Sequence, residues 1–440
     1  MSHTHDRDIR VAELARVEGE GAMHVSVVDG RVDHVELQIY EPPRFFEALL
    51  RGRDFREPPD ITARICGICP VAYQLSAINA IESLCQVEVS DPIRQLRRLL
   101  YCGEWIESHV LHVFLLHAPD FLGYASALDL AADDKELVES ALRMRKVGNT
   151  LLEVVGGRAI HPINVKVGGF HRAPTRAALQ ALVPELEWAR DAAIGAVRLV
   201  AGFDFPDLSH DHRYVALRPT EADTPPGATR YPIERGRVLS TDGLDIPPEE
   251  WRDHFAEHQV AHSTALHAQA RDGATFLVGP AARFALNSHL LAPAAAQVAT
   301  EVGLVAPDRN PFRSIIIRAV EIVHALEEAL ALIAAYEEPD QSSVPVEPVA
   351  GTGHGVSEAP RGVLYHRYTL DEAGLITDAV IVPPTSQNQR AVEADLADFV
   401  QAHLELDDDD LQWRCEQAIR NYDPCISCST HFLDLTVDRR

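Results

Sequence analysis

The chain has 440 residues, 46 % of them hydrophobic and 24 % charged, enough apolar material for a large buried core, which excludes a miniprotein stapled by disulfides. Acidic residues outnumber basic ones 66 to 40, giving a formal net charge of −26, so a nucleic-acid phosphate surface is excluded as a partner. The unusual entries in the composition are 7 cysteines and 21 histidines beside only 3 methionines.

Ala22 to Val28 and Arg31 to Tyr40 read as strands joined by Asp29-Gly30, a strong two-residue hairpin signal. After Pro42-Pro43 the segment RFFEALLRGRD has helical spacing, and apolar residues recur every three or four positions from Pro70 to Leu84 and from Pro92 to His117. Long helical patterns follow at Lys135 to Val155, Thr175 to Gly202 and Pro311 to Tyr336, long enough to form a bundle. Tyr214 to Pro248 is rich in Pro, Gly, Thr and Arg and reads as irregular sheet, and a second β-rich piece spans Gly362 to Pro383. The Asp407 to Asp410 run reads as a solvated helix start or turn. The expected fold is α+β, mainly α: a long-helix bundle core with peripheral β hairpins and small sheets, forming one intertwined domain over residues 1–440.

The N-terminal MSHTHDRDIR is charged and has no apolar signal-peptide core, and no uninterrupted apolar stretch of about 18 residues occurs, so neither secretion nor a membrane span is expected. An odd cysteine count in such a chain argues against a disulfide framework. Cys66-Gly-Ile-Cys69 precedes a helix, and Cys425-Ile-Ser-Cys428 lies near the C-terminus, with 355 residues between the pairs. Thiols three apart at a helix start can aim both sulfurs at one centre, and the helix N-terminus favours thiolate. A zinc ribbon gathers its pairs within about 15 to 20 residues to staple a fold without a core, which a chain this long does not need. Spacing alone leaves a buried functional metal, structural zinc and unrelated thiols all open. Cys85, Cys102 and Cys415 lie in apolar helical contexts and read as core thiols.

The identity of the motifs goes further than their spacing. RICGIC at Arg64–Cys69 and DPCISCSTH at Asp423–His431, with RVEGEG at Arg16–Gly21, Glu47 ahead of GRD, GRAIHP at Gly157–Pro162 and EAPRG at Glu358–Gly362, resemble the large subunit of nickel-iron hydrogenases. The RICGICPVAYQ form is most similar to the cytoplasmic, bidirectional, NAD(P)-linked sulfhydrogenase type. The resemblance implies that the chain ends meet at a buried metal site, with Cys66 and Cys425 as terminal nickel thiolates. Cys69 and Cys428 would bridge nickel to an iron carrying carbon monoxide and cyanide. Dihydrogen would be split heterolytically, with the sulfur of Cys425 as base and Glu18 next along the proton path. From the residues alone, Glu18 reads rather as a cap or ion-pair partner of its strand, and it is the resemblance that turns it into a relay.

The same resemblance places Arg361, after Pro360, over the open metal position, where it can hydrogen-bond cyanide. It places His109 beside the site, and a magnesium or iron ion on Glu47, the Val380 carbonyl and His431. Two departures stand out. Tyr73 occupies a position that is His in most members, and Pro384 replaces a Ser or Thr that bonds a second cyanide, so that either Thr385 or a backbone NH takes over that role or the bond is absent. Nine residues, Phe432 to Arg440, follow His431 where many members are trimmed by a maturation protease. The implied partners are an iron-sulfur small subunit, flavin and NAD(P) diaphorase subunits and maturation factors; the implied location is cytoplasmic. Two other readings are weighed against this one: a non-catalytic relative like the quinone-site subunit of respiratory complex I, which has lost the thiolates, and a zinc-stapled scaffold.

Overall fold

The computed structural model describes residues 6–430. Asp29-Gly30 turns the first hairpin with φ of 50° and 73°, the pair of positive angles that matches the twist of the strands it joins, Gly21–Val28 and Arg31–Ile39. Arg7–Val11 adds a third strand, which the sequence reading missed because only Ile9 and Val11 carry its alternation. One face of this sheet buries Met23, Val25 and Val27, and the other turns His24 and Ser26 outward.

Four long helices make the bundle: Asp91–Val110, Lys135–Gly156, Val183–Ala201 and Ser314–Ala335, each packed on two of the others. Ser314–Ala335 is buried along most of its length, yet it carries Arg318, Glu321, His324 and Glu328 at helical spacing along one face. The two glutamates are matched inside the protein. Arg283 forks onto Glu321 at 2.7 Å and Arg98 pairs with Glu328. Such buried pairs are costly to break on one side, so they fix helix register more than they add stability.

Three helical expectations are corrected in extent. The pattern after Pro42-Pro43 forms only Phe46–Leu50. The stretch 175–202 divides into Arg176–Gln180 and Val183–Ala201, the second opened by Pro184 in its first turn, where a missing N–H costs nothing. The Pro92 to His117 pattern is α-helical to Val110 and then a π-helical turn over Leu111–His117. The Asp run is the start of a helix, Asp408–Arg420, capped by the Asp407 carboxylate accepting from Asp410 N.

Pro70–Cys85 lies beneath a three-stranded antiparallel sheet, Gly351–Ala359, Gly362–Leu370 and Ile376–Val382. The irregular excursion contributes Arg213–Arg218, Arg237–Ser240 and Asp245–Ile246, joined by Phe276–Leu277 in a four-stranded sheet. A parallel bridge between Glu18 and Cys425 joins the two ends of the chain. No helix among the described residues is long and apolar enough to cross a membrane.

Candidate metal centre

Each cysteine pair is placed by a helix start. Cys66 is extended after the turn Ala63–Ile65, and Cys69 occupies the cap position of Pro70–Cys85, whose N1 is proline. The first free N–H groups of that helix, at Val71 and Ala72, donate to the buried Glu104 carboxylate at 2.6 and 3.1 Å, so a residue of the neighbouring helix caps it. Cys425 caps the short turn Ile426–Ser429, and its N–H donates to Thr385 Oγ1 at 3.0 Å.

The four sulfurs meet. Cys66 and Cys425 Sγ are 3.4 Å apart, as are Cys69 and Cys428, with 2.7 Å between Cys425 and Cys428. All four are buried cysteines outside any disulfide, and their sulfurs lie within 4.8 Å of one another. Hydrogen bonds from Cys425, Cys428 and Cys69 hold Cys66 well below the ordinary thiol range, while burial, then Cys428, Cys66 and Cys69, push Cys425 well above it. Four sulfurs this close cannot all ionise unless a cation holds them together. A soft metal is what this donor set fits.

Around the sulfurs stand the other predicted residues. Glu18 Oε2 is 3.1 Å from Cys425 Sγ and accepts from Ser427 N at 3.0 Å; burial, then the charge at Cys66, raises its carboxyl. Gly19 makes this approach possible. At its φ of +89° an added Cβ would come within 2.7 Å of Ile426 and 2.8 Å of the Glu41 carboxylate. Arg361 is buried, donating from Nε to the Asp423 carbonyl at 2.7 Å and from Nη2 to Asp423 Oδ1 at 2.9 Å. Its burial opposes the charge, but Asp423 and the cysteines hold it protonated. Arg361 Nη1 is a buried donor with no partner among the described residues. The Pro360 carbonyl is turned away and accepts from Arg283 Nη2 at 2.9 Å. Tyr73 is buried against Cys428, whose carbonyl accepts its hydroxyl at 3.5 Å.

Not every predicted residue converges here. His109 sits one layer back, its Nε2 3.0 Å from Glu321 Oε2, reaching the 358–361 segment through Glu321 and Arg283 and through the Trp105 ring beside it, whose Nε1 donates to Glu358 O at 3.0 Å. Glu47 and Val380 line a separate cleft of about 620 Å³, where Glu47 Oε1 accepts from Ile381 N at 2.7 Å. Burial raises Glu47 to about 7, and burial with the charge of Glu47 raises the neighbouring Glu257 to about 8. His431 lies outside the described residues; Thr430, just before it, accepts from Arg44 N at 2.7 Å.

Glu104, Asp423, Ser427, Glu41 and Glu257 were not singled out from sequence. Asp423 and Ser427 stand inside a quoted motif and could have been. Ser427 Oγ donates to Glu41 Oε2 at 3.1 Å, a contact set by the approach of segments far apart in sequence and carrying no local signal.

The sequence profile of the nickel-dependent hydrogenases matches residues 44–140 and 311–431. Sulfhydrogenase 1 subunit alpha of Pyrococcus furiosus is 33 % identical over 97 % of this chain and 98 % of its own. The NAD-reducing hydrogenase HoxS subunit beta of Cupriavidus necator is 28 % identical over 97 % of this chain and 95 % of its own. Among solved structures, an H2-reduced NAD+-reducing [NiFe]-hydrogenase superposes with a TM-score of 0.86 at 27 % identity, covering 97 % of this chain and 99 % of that one. The Ni-Fe-Se hydrogenase of D. vulgaris Hildenborough shares the fold, with a TM-score of 0.78 at 22 % identity over 97 % and 100 % of the two chains. With four thiols gathered in its core and kinship along almost its whole length, the chain belongs to the nickel-dependent hydrogenase family, as a large, catalytic subunit.

Proposed function

We propose that the four cysteines hold a nickel–iron pair, Cys66 and Cys425 binding nickel alone and Cys69 and Cys428 shared with an iron that carries carbon monoxide and cyanide. Such a pair supplies a soft, redox-active Lewis acid at which dihydrogen is polarised. The remaining work belongs to the chain. Cys425 Sγ takes the proton, and Glu18 Oε2, 3.1 Å away, receives it; the raised carboxyl of Glu18 suits both uptake and release. Ser427 N–H holds Glu18 in place, and Glu41, bonded to Ser427 Oγ, extends the polar line away from the sulfurs.

Arg361 Nη1 is the donor available to a cyanide, with Asp423 fixing the guanidinium plane. Thr385 accepts from Cys425 N, which leaves its own proton to donate to a second cyanide in place of the missing hydroxyl at Pro384. His109 is a positioning residue acting through Glu321 and Arg283 on the Pro360 carbonyl. A magnesium or iron ion on Glu47, the Val380 carbonyl and His431 is supported by the raised carboxyls of Glu47 and Glu257, two acids that a cation would relieve.

The chain contains only three cysteines beyond the metal centre, Cys85, Cys102 and Cys415, dispersed in sequence, so electrons must leave through another subunit. That subunit is an iron-sulfur small subunit, followed by flavin and NAD(P) modules in the cytoplasm, as kinship with the NAD-reducing enzyme supports. One domain over 1–440 is supported by the Glu18–Cys425 bridge.

The observation that carries this reading is a carboxylate 3.1 Å from one of four clustered sulfurs, since a structural zinc staple has no use for a proton acceptor. Infrared spectra of protein from its native host should contain metal-bound carbonyl and cyanide bands. A nickel-replete sample without them would overturn the reading.

A further inference from the structure

Away from the thiols, three histidines converge on one carboxylate on the outward face of the N-terminal sheet. His24 is directly opposite Glu36 across the hairpin, and His34 stands two residues before Glu36 on the same strand, so the period of two puts all three on one face. His34 Nε2 is 2.5 Å from Glu36 Oε1 and His24 Nδ1 is 3.8 Å from Oε2. His262 Nδ1, on the connection that follows the strand Phe255–His258, is 3.7 Å from Oε1. His24, His34 and Glu36 each offer a ligand atom within 4.8 Å of the other two.

The opposite ring nitrogens decide how to read this cluster. His24 Nε2 is 2.5 Å from Asp8 Oδ1, and His262 Nε2 is 2.8 Å from Glu393 Oε1. Each of these imidazoles therefore faces a carboxylate at both nitrogens. A neutral imidazole has one N–H and can donate to only one of them. A cation on the Glu36 side resolves the conflict: one nitrogen binds the ion while the other donates to its outer carboxylate, the arrangement that orients histidine ligands at zinc sites. The side chains of His24, Glu36 and His262 are 15 to 19 % exposed and that of His34 46 %, so the cluster is walled yet open to an exchanging ion.

We propose that His24 Nδ1, His34 Nε2 and Glu36 form a site for a divalent transition metal of the zinc class, with His262 Nδ1 as the fourth donor. Nitrogen and oxygen donors, four in number, suit that ion. The site would clamp the hairpin to the segment holding His262. Two residues on, Thr264 N donates to Ile39 O at 2.7 Å, and Ala265 packs with Ile39 and Ile426 beside Cys425. The ion would thus tie the N-terminal sheet to the chain that carries the metal centre, without entering it.

The test uses the complete enzyme with nickel and iron in place, dialysed against a chelator and then titrated with Zn2+ alone. Bound metal is counted by elemental analysis, and zinc X-ray absorption reads its donors. About one zinc per chain is expected, with nitrogen and oxygen neighbours only. His34→Ala, at a largely exposed position, should weaken zinc binding at least about 100-fold, and Asp8→Asn, which meets the cluster only at the outer nitrogen of His24 and otherwise pairs with Arg10, by about 10- to 100-fold. Unchanged nickel content in both variants reports an intact fold. His210→Ala, in a separate histidine–aspartate cluster, should leave the zinc in place. Failure to bind zinc, sulfur in its shell, or wild-type affinity in both His34→Ala and Asp8→Asn would overturn the proposal and leave protonated histidines paired with carboxylates as the account of the cluster.

Discussion

Glu18 is held between opposing influences. Burial and the charge at Cys66 favour its protonated form, and the Ser427 N–H and Cys425 favour the carboxylate. Glu18→Gln keeps the shape and can still accept from Ser427 N, but it cannot carry a proton. Hydrogen turnover should fall by about 100-fold or more with nickel content unchanged; full turnover would remove Glu18 from the relay. Glu358 poses a stability question. It is buried, accepts from Leu217 N at 2.7 Å and meets Arg283 Nη1 at 3.0 Å, yet Arg283 is already committed to Glu321, and burial lifts Glu358 to about 7. A carboxyl raised on folding contributes stability below its unfolded value and loses it as pH rises through the folded one. Wild type should therefore lose roughly 3 kcal/mol relative to Glu358→Gln between about pH 4.5 and 7. Melting temperatures of the two proteins at pH 4.5 and 8 would show it, and parallel curves would contradict it. At this scale the cysteines, Glu18 and Arg361 were legible because each sits in a distinctive run of residues. Glu104 was not, since its role depends on where one helix passes the start of another.

Helix contacts make a different kind of demand. Asp91–Val110 crosses Lys135–Gly156 at Gly103 and Gly148, and a Cβ on Gly148 would stand 2.8 Å from Gly103 O and 2.9 Å from Glu107 N. Both atoms are backbone, so the helices must separate. Gly148→Ala should cost about 1 to 3 kcal/mol, although alanine is the better helix former. Gly195, in Val183–Ala201, has nothing within 4 Å of an added Cβ, so there the helix preference acts alone and Gly195→Ala should stabilise by up to about 1 kcal/mol. Denaturant melts of the pair test the crossing: equal effects would mean that it is not close. The apolar period located the bundle helices, but it missed Pro384–Ala402, whose first six residues are polar or proline and nevertheless buried. Two of them bond neighbouring segments, with Gln387 Nε2 donating to Val363 O at 2.6 Å and Asn388 Nδ2 to Val278 O at 3.2 Å. A helix start buried with such polar residues leaves no hydrophobic signature to read. The π turn at Leu111–His117 was hidden for the opposite reason: its apolar spacing simply continues that of the helix before it.

Across the whole molecule, the metal centre and the closure of the chain are one feature. Ile426 N donates to Glu18 O at 2.9 Å, and Arg420 reaches both Ala15 O at 3.0 Å and the Asp120 carboxylate at 2.7 and 2.8 Å, with Arg16 on the same aspartate. These contacts align the N-terminal segment with the C-terminal one, but the cysteines pull against them. Four buried thiols this close cannot all ionise, so without a cation the seam carries an unrelieved conflict. Metal that replaces those protons contributes its binding free energy directly to closing the seam, and a bundle held by its own apolar packing gains nothing from it. Amide hydrogen exchange separates the two. Removing the metal should speed exchange at Ile426 and Cys428 by about 10-fold or more, since each lost 1.4 kcal/mol of local protection is a factor of ten, while Ser314–Ala335 stays as it was. Equal protection of the seam with and without metal would mean that Arg420, Arg16 and the Glu18 bridge close the chain unaided. Loss of protection along the whole bundle would mean that the metal holds the entire fold and not only its ends.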